Sequence, residues 1–130
     1  MNTHTDYVLK RCSIARPEKY EVVKKEIKML QQFKGPYVVE FLASEIVRDG
    51  RGGQEALLLL TLCPGGHLLE RLLSRNGNPL PITNVYRIFG QIVSGLRPMH
   101  EYTPPVTHRD LKLENILFGA VGFIFLHFSI

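Results

Sequence analysis

Cysteine is scarce in this sequence: Cys12 and Cys63 are the two it contains. They lie far apart and have no metal-ligand spacing. That excludes a disulfide framework and a cysteine-built zinc site, and it leads us to expect a reducing, cytoplasmic setting. Charge of one sign is lacking too. Sixteen basic side chains face 12 acidic ones for a formal net charge of +4, and no run of like charges is longer than Lys24-Lys25. A dedicated nucleic-acid surface is therefore not expected. The opening MNTHTDYVLK lacks the basic-then-apolar order of a signal peptide. The apolar run from Ile116 to Ile130 falls short of the roughly 20 residues needed to cross a bilayer, and glycines, a histidine and a serine interrupt it. No transmembrane segment is expected. Internal repeats and low-complexity tracts are also missing, and no aspartate follows Asp110. What is present, 45% hydrophobic and 22% charged residues, is the composition of one globular domain.

Strands dominate the first half. DYVLKRCSI carries β-branched and aromatic residues and reads as a strand ending near Ser13. Pro17 opens a helix, because its missing N–H is not needed there. Tyr20, Val23, Ile27 and Leu30 follow helical spacing up to Phe33, and Glu21 with Lys25 forms an i,i+4 pair. A Gly-Pro turn leads into a second strand within KGPYVVEFLASEIV. RDGRGGQ is a hairpin loop, and EALLLLTL is a third strand whose continuous apolar run predicts burial on both faces. After the break at CPGG, a short helix from His67 to Ser74 is expected. Thr83 is then placed to cap a longer helix carrying Val85, Ile88, Phe89, Ile92, Leu96 and Met99. Gly90 and Gly95 should weaken that helix by about 1 kcal/mol each relative to alanine, and Pro98 should bend or end it. The order gives an α+β fold in two unequal parts.

The chemistry concentrates in HRDLKLEN. Asp110 offers a carboxylate, Lys112 a cation two residues on, and Asn115 an amide five residues on. Phosphoryl transfer uses such a set: a carboxylate orients the attacking hydroxyl, a cation offsets charge on the moving phosphate, and a neutral oxygen helps hold Mg²⁺. Glu26 draws attention for another reason. Val22, Val23, Met29 and Leu30 flank it at helical spacing, so its carboxylate either reaches solvent at the edge of an apolar face or meets a cation.

These stretches resemble the eukaryotic protein kinases. PPVTHRDLKLENIL together with LLLLTLCPGGHLLERL is similar to the Numb-associated serine/threonine kinases, the group of the adaptor-associated and cyclin-G-associated kinases. The likeness runs from about Asp6 to Phe118. It implies a partial small lobe and hinge over 6–63, the start of a large lobe with its catalytic loop over 64–118, and a divergent apolar tail over 119–130. It also implies ATP and Mg²⁺, with Asp110 and Lys112 catalytic and Asn115 a metal ligand. Lys10, paired with Glu26, would meet the α- and β-phosphates; Leu60 would be the gatekeeper, and Thr61, Leu62 and Cys63 the hinge at the adenine. His108 and Arg109 would brace the loop. Protein substrates follow from the same likeness, clathrin adaptor subunits in endocytic traffic among them.

Two parts of that pattern have no counterpart. No glycine precedes Lys10, so a phosphate-covering glycine-rich loop is not expected among these residues. After NILF the pattern calls for Asp-Phe-Gly, but this chain reads GAVGFIFLHFSI, with His127 or Phe128 where the aspartate belongs. Neither supplies a hard oxygen to Mg²⁺. The expectation is an incomplete, inactive fragment or truncated isoform of a serine/threonine kinase, so enzymatic activity of this chain is left open. The alternative is a non-catalytic, pseudokinase-like interaction module that binds a kinase or an endocytic partner. In either case, the helix from Thr83 and the tail are expected to expose apolar surface through which the chain associates with partners.

Overall fold

The structure is a computed structural model and describes residues 5–128. The chain divides into two compact units.

The first unit takes in residues up to Lys34 together with Glu40–Leu62. It holds strand β1 (Tyr7–Ile14), helix α1 (Pro17–Gln32), and strands β2 (Phe41–Arg48) and β3 (Gln54–Thr61). The three strands form one antiparallel sheet in the order β1-β3-β2. The leucine-rich strand takes the centre because only that position surrounds a continuous apolar run with neighbours. Its burial alternates nevertheless: Ala56, Leu58 and Leu60 are buried, while Leu57 and Leu59 are half-covered on the other face. The expectation of full burial on both faces is corrected to one closed face. Helix α1 starts at Pro17, as its fixed φ favours, and turns Val23, Ile27 and Leu30 into the core. Between β2 and β3, Asp49 Oδ1 accepts from the N–H groups of Arg51 (2.8 Å) and Gly53 (2.9 Å), which closes the hairpin.

The second unit comprises Gly35–Val39 and the chain from Cys63 onward. It contains helices α2 (Leu68–Leu73) and α3 (Ile82–His100), a single 3₁₀ turn at Leu113–Asn115, and strands β4 (Ile116–Phe118) and β5 (Ile124–Leu126). β4 and β5 pair as an antiparallel hairpin. The segment before β2 runs alongside β5: Leu126 N–H donates to the Tyr37 carbonyl at 2.8 Å, and Val39 N–H donates to the Leu126 carbonyl at 2.9 Å. The core gathers Leu68, Ile88, Ile116, Phe118, Ile124 and Leu126.

The short helix expected from His67 to Ser74 is present, and expectations change for Thr83, Pro98 and Gly95. His67, not only the apolar pattern, starts α2: its Nδ1 accepts from Glu70 N–H, and Glu70 Oε2 accepts from His67 N–H, both at 3.3 Å. This reciprocal arrangement satisfies two otherwise orphaned donors. Thr83 does not cap α3, which begins at Ile82 after Pro81 with no side-chain cap. The helix also continues through Pro98 to His100. Met99, 1% exposed, anchors that last turn in the core, and the lost proline N–H costs one bond near an end that frays anyway. Gly95 is less a weak point than a spacer: a Cβ there would stand 2.8 Å from both Leu126 Cδ1 and the Tyr37 carbonyl oxygen.

The apolar stretch after Phe118 departs furthest from expectation. Ile124 and Leu126 are fully buried and Phe128 is 9% exposed, so these residues fill the core rather than add to the apolar surface; Val121 and Phe123 remain exposed. Residues 129–130 of the expected tail lie outside the described residues. For α3 the expectation holds, since Ile82, Val85, Tyr86, Phe89 and Val93 are all exposed.

A candidate catalytic loop

The loop leaves α3 through Val106, whose N–H donates to the Met99 carbonyl at 2.9 Å. Arg109 then adopts φ 66°, in the left-handed region, at a cost of about 1–2 kcal/mol for a residue with a side chain. The histidine beside it holds this sharp turn. His108 Nδ1 accepts from the Asp110 N–H at 3.3 Å, and His108 Nε2 contacts the His127 carbonyl at 3.1 Å. A neutral imidazole carrying its proton on Nε2 satisfies both bonds at once. Burial pushes the His108 pKa down, and this outweighs the opposing pull of the His127 carbonyl and the Asp110 charge. The ring also stacks on Phe128, with centroids 4.7 Å apart. His108 thus braces the loop.

Three polar side chains converge beyond the turn. Lys112 Nζ lies 3.3 Å from Asp110 Oδ1. Asn115, buried in the 3₁₀ turn, donates through Nδ2 to the Asp110 carbonyl at 2.8 Å and to Asp110 Oδ2 at 3.0 Å. Asp110 is therefore held by a cation on one oxygen and an amide on the other, while its side chain keeps 39% of its exposure. A carboxylate fixed in this way, still open to solvent and next to a half-exposed ammonium, can accept a hydrogen bond from an incoming hydroxyl.

The remaining candidates are spread over the chain. Lys10 is half-covered on β1, and Glu26 is half-buried on α1 with Oε2 out of reach of solvent. β1 and α1, which carry these two residues, touch within the first unit. Leu60 is buried at the end of β3. The N–H groups of Thr61 and Leu62 are already engaged, by the carbonyls of Glu40 (3.0 Å) and Asp6 (2.9 Å). Cys63 is half-buried in the second unit, and burial raises its thiol pKa. Sequence reasoning missed Gln91, a buried amide whose Oε1 accepts from Ile124 N–H at 2.9 Å and ties α3 to β5. A lone glutamine within an apolar helical pattern was the available signal.

A small α+β piece with antiparallel strands and a loop that joins Asp, Lys and Asn fits a protein kinase domain fragment. Residues 1–126 match the family model described as the protein kinase domain, and the chain belongs to that family. Its relatives include a "probable serine/threonine-protein kinase" of Dictyostelium discoideum, 32% identical over 86% of this chain. Another is the serine/threonine-protein kinase ppk30 of Schizosaccharomyces pombe, 29% identical over 88% of this chain. A third is the actin-regulating kinase PRK1 of Saccharomyces cerevisiae, 28% identical over 88%. The chain spans only 14%, 12% and 14% of the lengths of these relatives, respectively.

Kinases of this family use ATP with Mg²⁺, and the residues present do not fit that metal. Phe128, stacked on His108, stands in the stretch where the principal carboxylate ligand is expected. Among the described residues no group of three or more His, Cys, Asp or Glu side chains could hold a metal ion. No helix among them is long and apolar enough to cross a membrane.

Proposed function

We propose that these residues carry the catalytic-loop region of a cytoplasmic serine/threonine kinase of the Numb-associated group, and that they do not themselves transfer phosphate. The observation that carries this reading is the convergence of Asp110, Lys112 and Asn115 within hydrogen-bonding or ion-pair distance. In the group's chemistry Asp110 orients the substrate hydroxyl, Lys112 offsets charge on the γ-phosphate, and Asn115 supplies an oxygen to the metal. Lys10 with Glu26 would serve the other phosphates, and Leu60, Thr61, Leu62 and Cys63 the adenine. Protein hydroxyls are the substrates, with endocytic adaptor subunits the class suggested by the likeness of PPVTHRDLKLENIL.

The inactivity rests on Phe128 and His127. Catalysis by kinases is mostly positioning plus electrostatic stabilisation, and an aromatic ring cannot replace a metal-binding carboxylate. Thermal unfolding with and without Mg·ATP tests this. A ligand at 100 times its dissociation constant would stabilise the fold by about 2.7 kcal/mol; the expected shift is none, with no transfer of labelled γ-phosphate to a serine peptide. Transfer that disappears in Asp110→Asn would overturn the inactive reading.

A second reading, a non-catalytic interaction module, is favoured by one observation. Ile82, Tyr86, Phe89 and Val93 recur at helical spacing along α3 with exposures of 62, 72, 65 and 51%. Such a stripe marks a contact surface. Concentration-dependent sedimentation that Phe89→Lys abolishes would support it.

A further inference from the structure

A cleft of about 750 Å³ opens in the first unit and is lined by none of the site residues assigned above. Ile14, Arg16, Pro17, Tyr20, Arg48 and Gly53 line most of it. The two arginines come from different elements, Arg16 from the turn into α1 and Arg48 from the last position of β2, so their spacing is set by the fold. Among the described residues, no side-chain hydrogen bond or ion pair holds either guanidinium. This contrasts with Arg11 and Arg97, which are bound to Glu55 and Glu101.

Neither Asp49 nor Glu18 lines the cleft, and Asp49 Oδ1 accepts from the N–H groups of Arg51 and Gly53 within its own hairpin. Ile14, Pro17 and the half-buried Tyr20 give the lining an apolar and aromatic part. Gly52 and Gly53 line it too, without side chains. A Cβ at Gly53 would fall 2.5 Å from Asp49 Oδ2, so the Asp49 side chain would have to shift.

We propose that this cleft binds a phosphorylated peptide segment, with the phosphate of a phosphoserine or phosphothreonine between Arg16 and Arg48 and an apolar neighbouring side chain on Ile14 and Tyr20. Guanidinium groups form paired, charge-assisted hydrogen bonds to phosphate oxygens, and clustered arginines are a recurring way to read phosphorylated motifs. The volume falls in the range of ligand sites, roughly 300–1,000 Å³. That is far more than a bare phosphate fills, so the apolar part of the lining is left for the residues beside it. The cleft is independent of the catalytic loop, because every lining residue belongs to the other unit.

The test is fluorescence anisotropy on the whole chain, using a fluorescein-labelled peptide with one phosphoserine flanked by leucine and phenylalanine. The phosphopeptide should bind at least about tenfold more tightly than its unphosphorylated twin, as loss of a charge-assisted bidentate contact implies. Arg16→Gln and Arg48→Gln should each weaken it severalfold without moving the unfolding midpoint. Arg48→Lys, which keeps the charge but loses the planar fork, should fall between wild type and Arg48→Gln and guards against a glutamine variant that fails to fold. Arg51→Gln, on the same hairpin but outside the cleft, should bind as the wild type does. Equal affinity for the two peptides, no binding of either, or full binding by Arg48→Gln would each overturn the proposal. So would displacement by inorganic phosphate as effective, mole for mole, as by unlabelled phosphopeptide, since free phosphate would then be the ligand.

Discussion

The catalytic loop and the exit of β5 are neighbours in the second unit and opposite in character. The loop places three polar side chains, Asp110, Lys112 and Asn115, on one another. The strand and its exit bury Ile124, Leu126 and Phe128. The two are bonded directly, His127 N–H donating to the Asn115 carbonyl at 2.9 Å while the His127 carbonyl meets His108. A loop with a catalytic pattern is therefore held in place by an adjoining strand and exit that offer no carboxylate. The scaffold of such a site and its chemistry are separable: backbone bonds and apolar packing shape the loop, whichever side chains come after it.

The strongest way to break that comparison is through the strand. Leu126→Ala removes a fully buried side chain and should cost about 2–5 kcal/mol, cavity included, read as a lower midpoint in urea unfolding. If stability hardly changes, β5 is not the support of the loop. Asn115→Ala comes next. It strips the amide that bonds both the main chain and the carboxylate of Asp110, with an expected loss of about 1–3 kcal/mol. A cost above that of Leu126→Ala would reverse the roles of loop and strand.

A pH profile sharpens the link between them. Burial holds the His108 pKa below its usual 6.5, so the folded state prefers the neutral ring. Its stabilisation is complete above pH 6.5 and falls away as acidification passes through the lower folded value. Melting midpoints measured downward from pH 7 should decline, and His108→Gln should flatten the decline. The smallest effects compare two helix starts. His67→Ala breaks the reciprocal cap of α2 and should cost about 1 kcal/mol. Thr83→Ala, at a position with no capping bond, should stay within about 0.5 kcal/mol. Equal losses in the two would mean the α3 terminus is held by a contact other than its backbone.

Much of this is legible in the residues. The helix from Pro17, the three strands around EALLLLTL and the short helix after CPGG follow from local spacing and turn chemistry, and the family from the words of the loop. The start of α3 is harder to place, because Thr83 has the right chemistry for a cap while the preceding proline sets the helical entry instead. The stretch after Phe118 is opaque for a deeper reason. An apolar run looks the same whether it faces solvent or fills a core, and its partners, Ile88 on α3 and Leu68 on α2, lie tens of residues away. Helix propensity alone undervalues Gly95, whose role lies in the close approach of Leu126 and Tyr37.

The sequence by itself determined the elements of the first sheet, the family, and the identity of Asp110, Lys112 and Asn115, because periodicity and motif spacing are local properties of a chain. Only the tertiary structure decided that those three side chains meet, that Phe128 stacks on His108, and that Arg16 and Arg48 share one cleft. Each of these depends on contacts that local spacing does not specify, and burial, hydrogen bonding and pKa are set by such neighbours rather than by residue type.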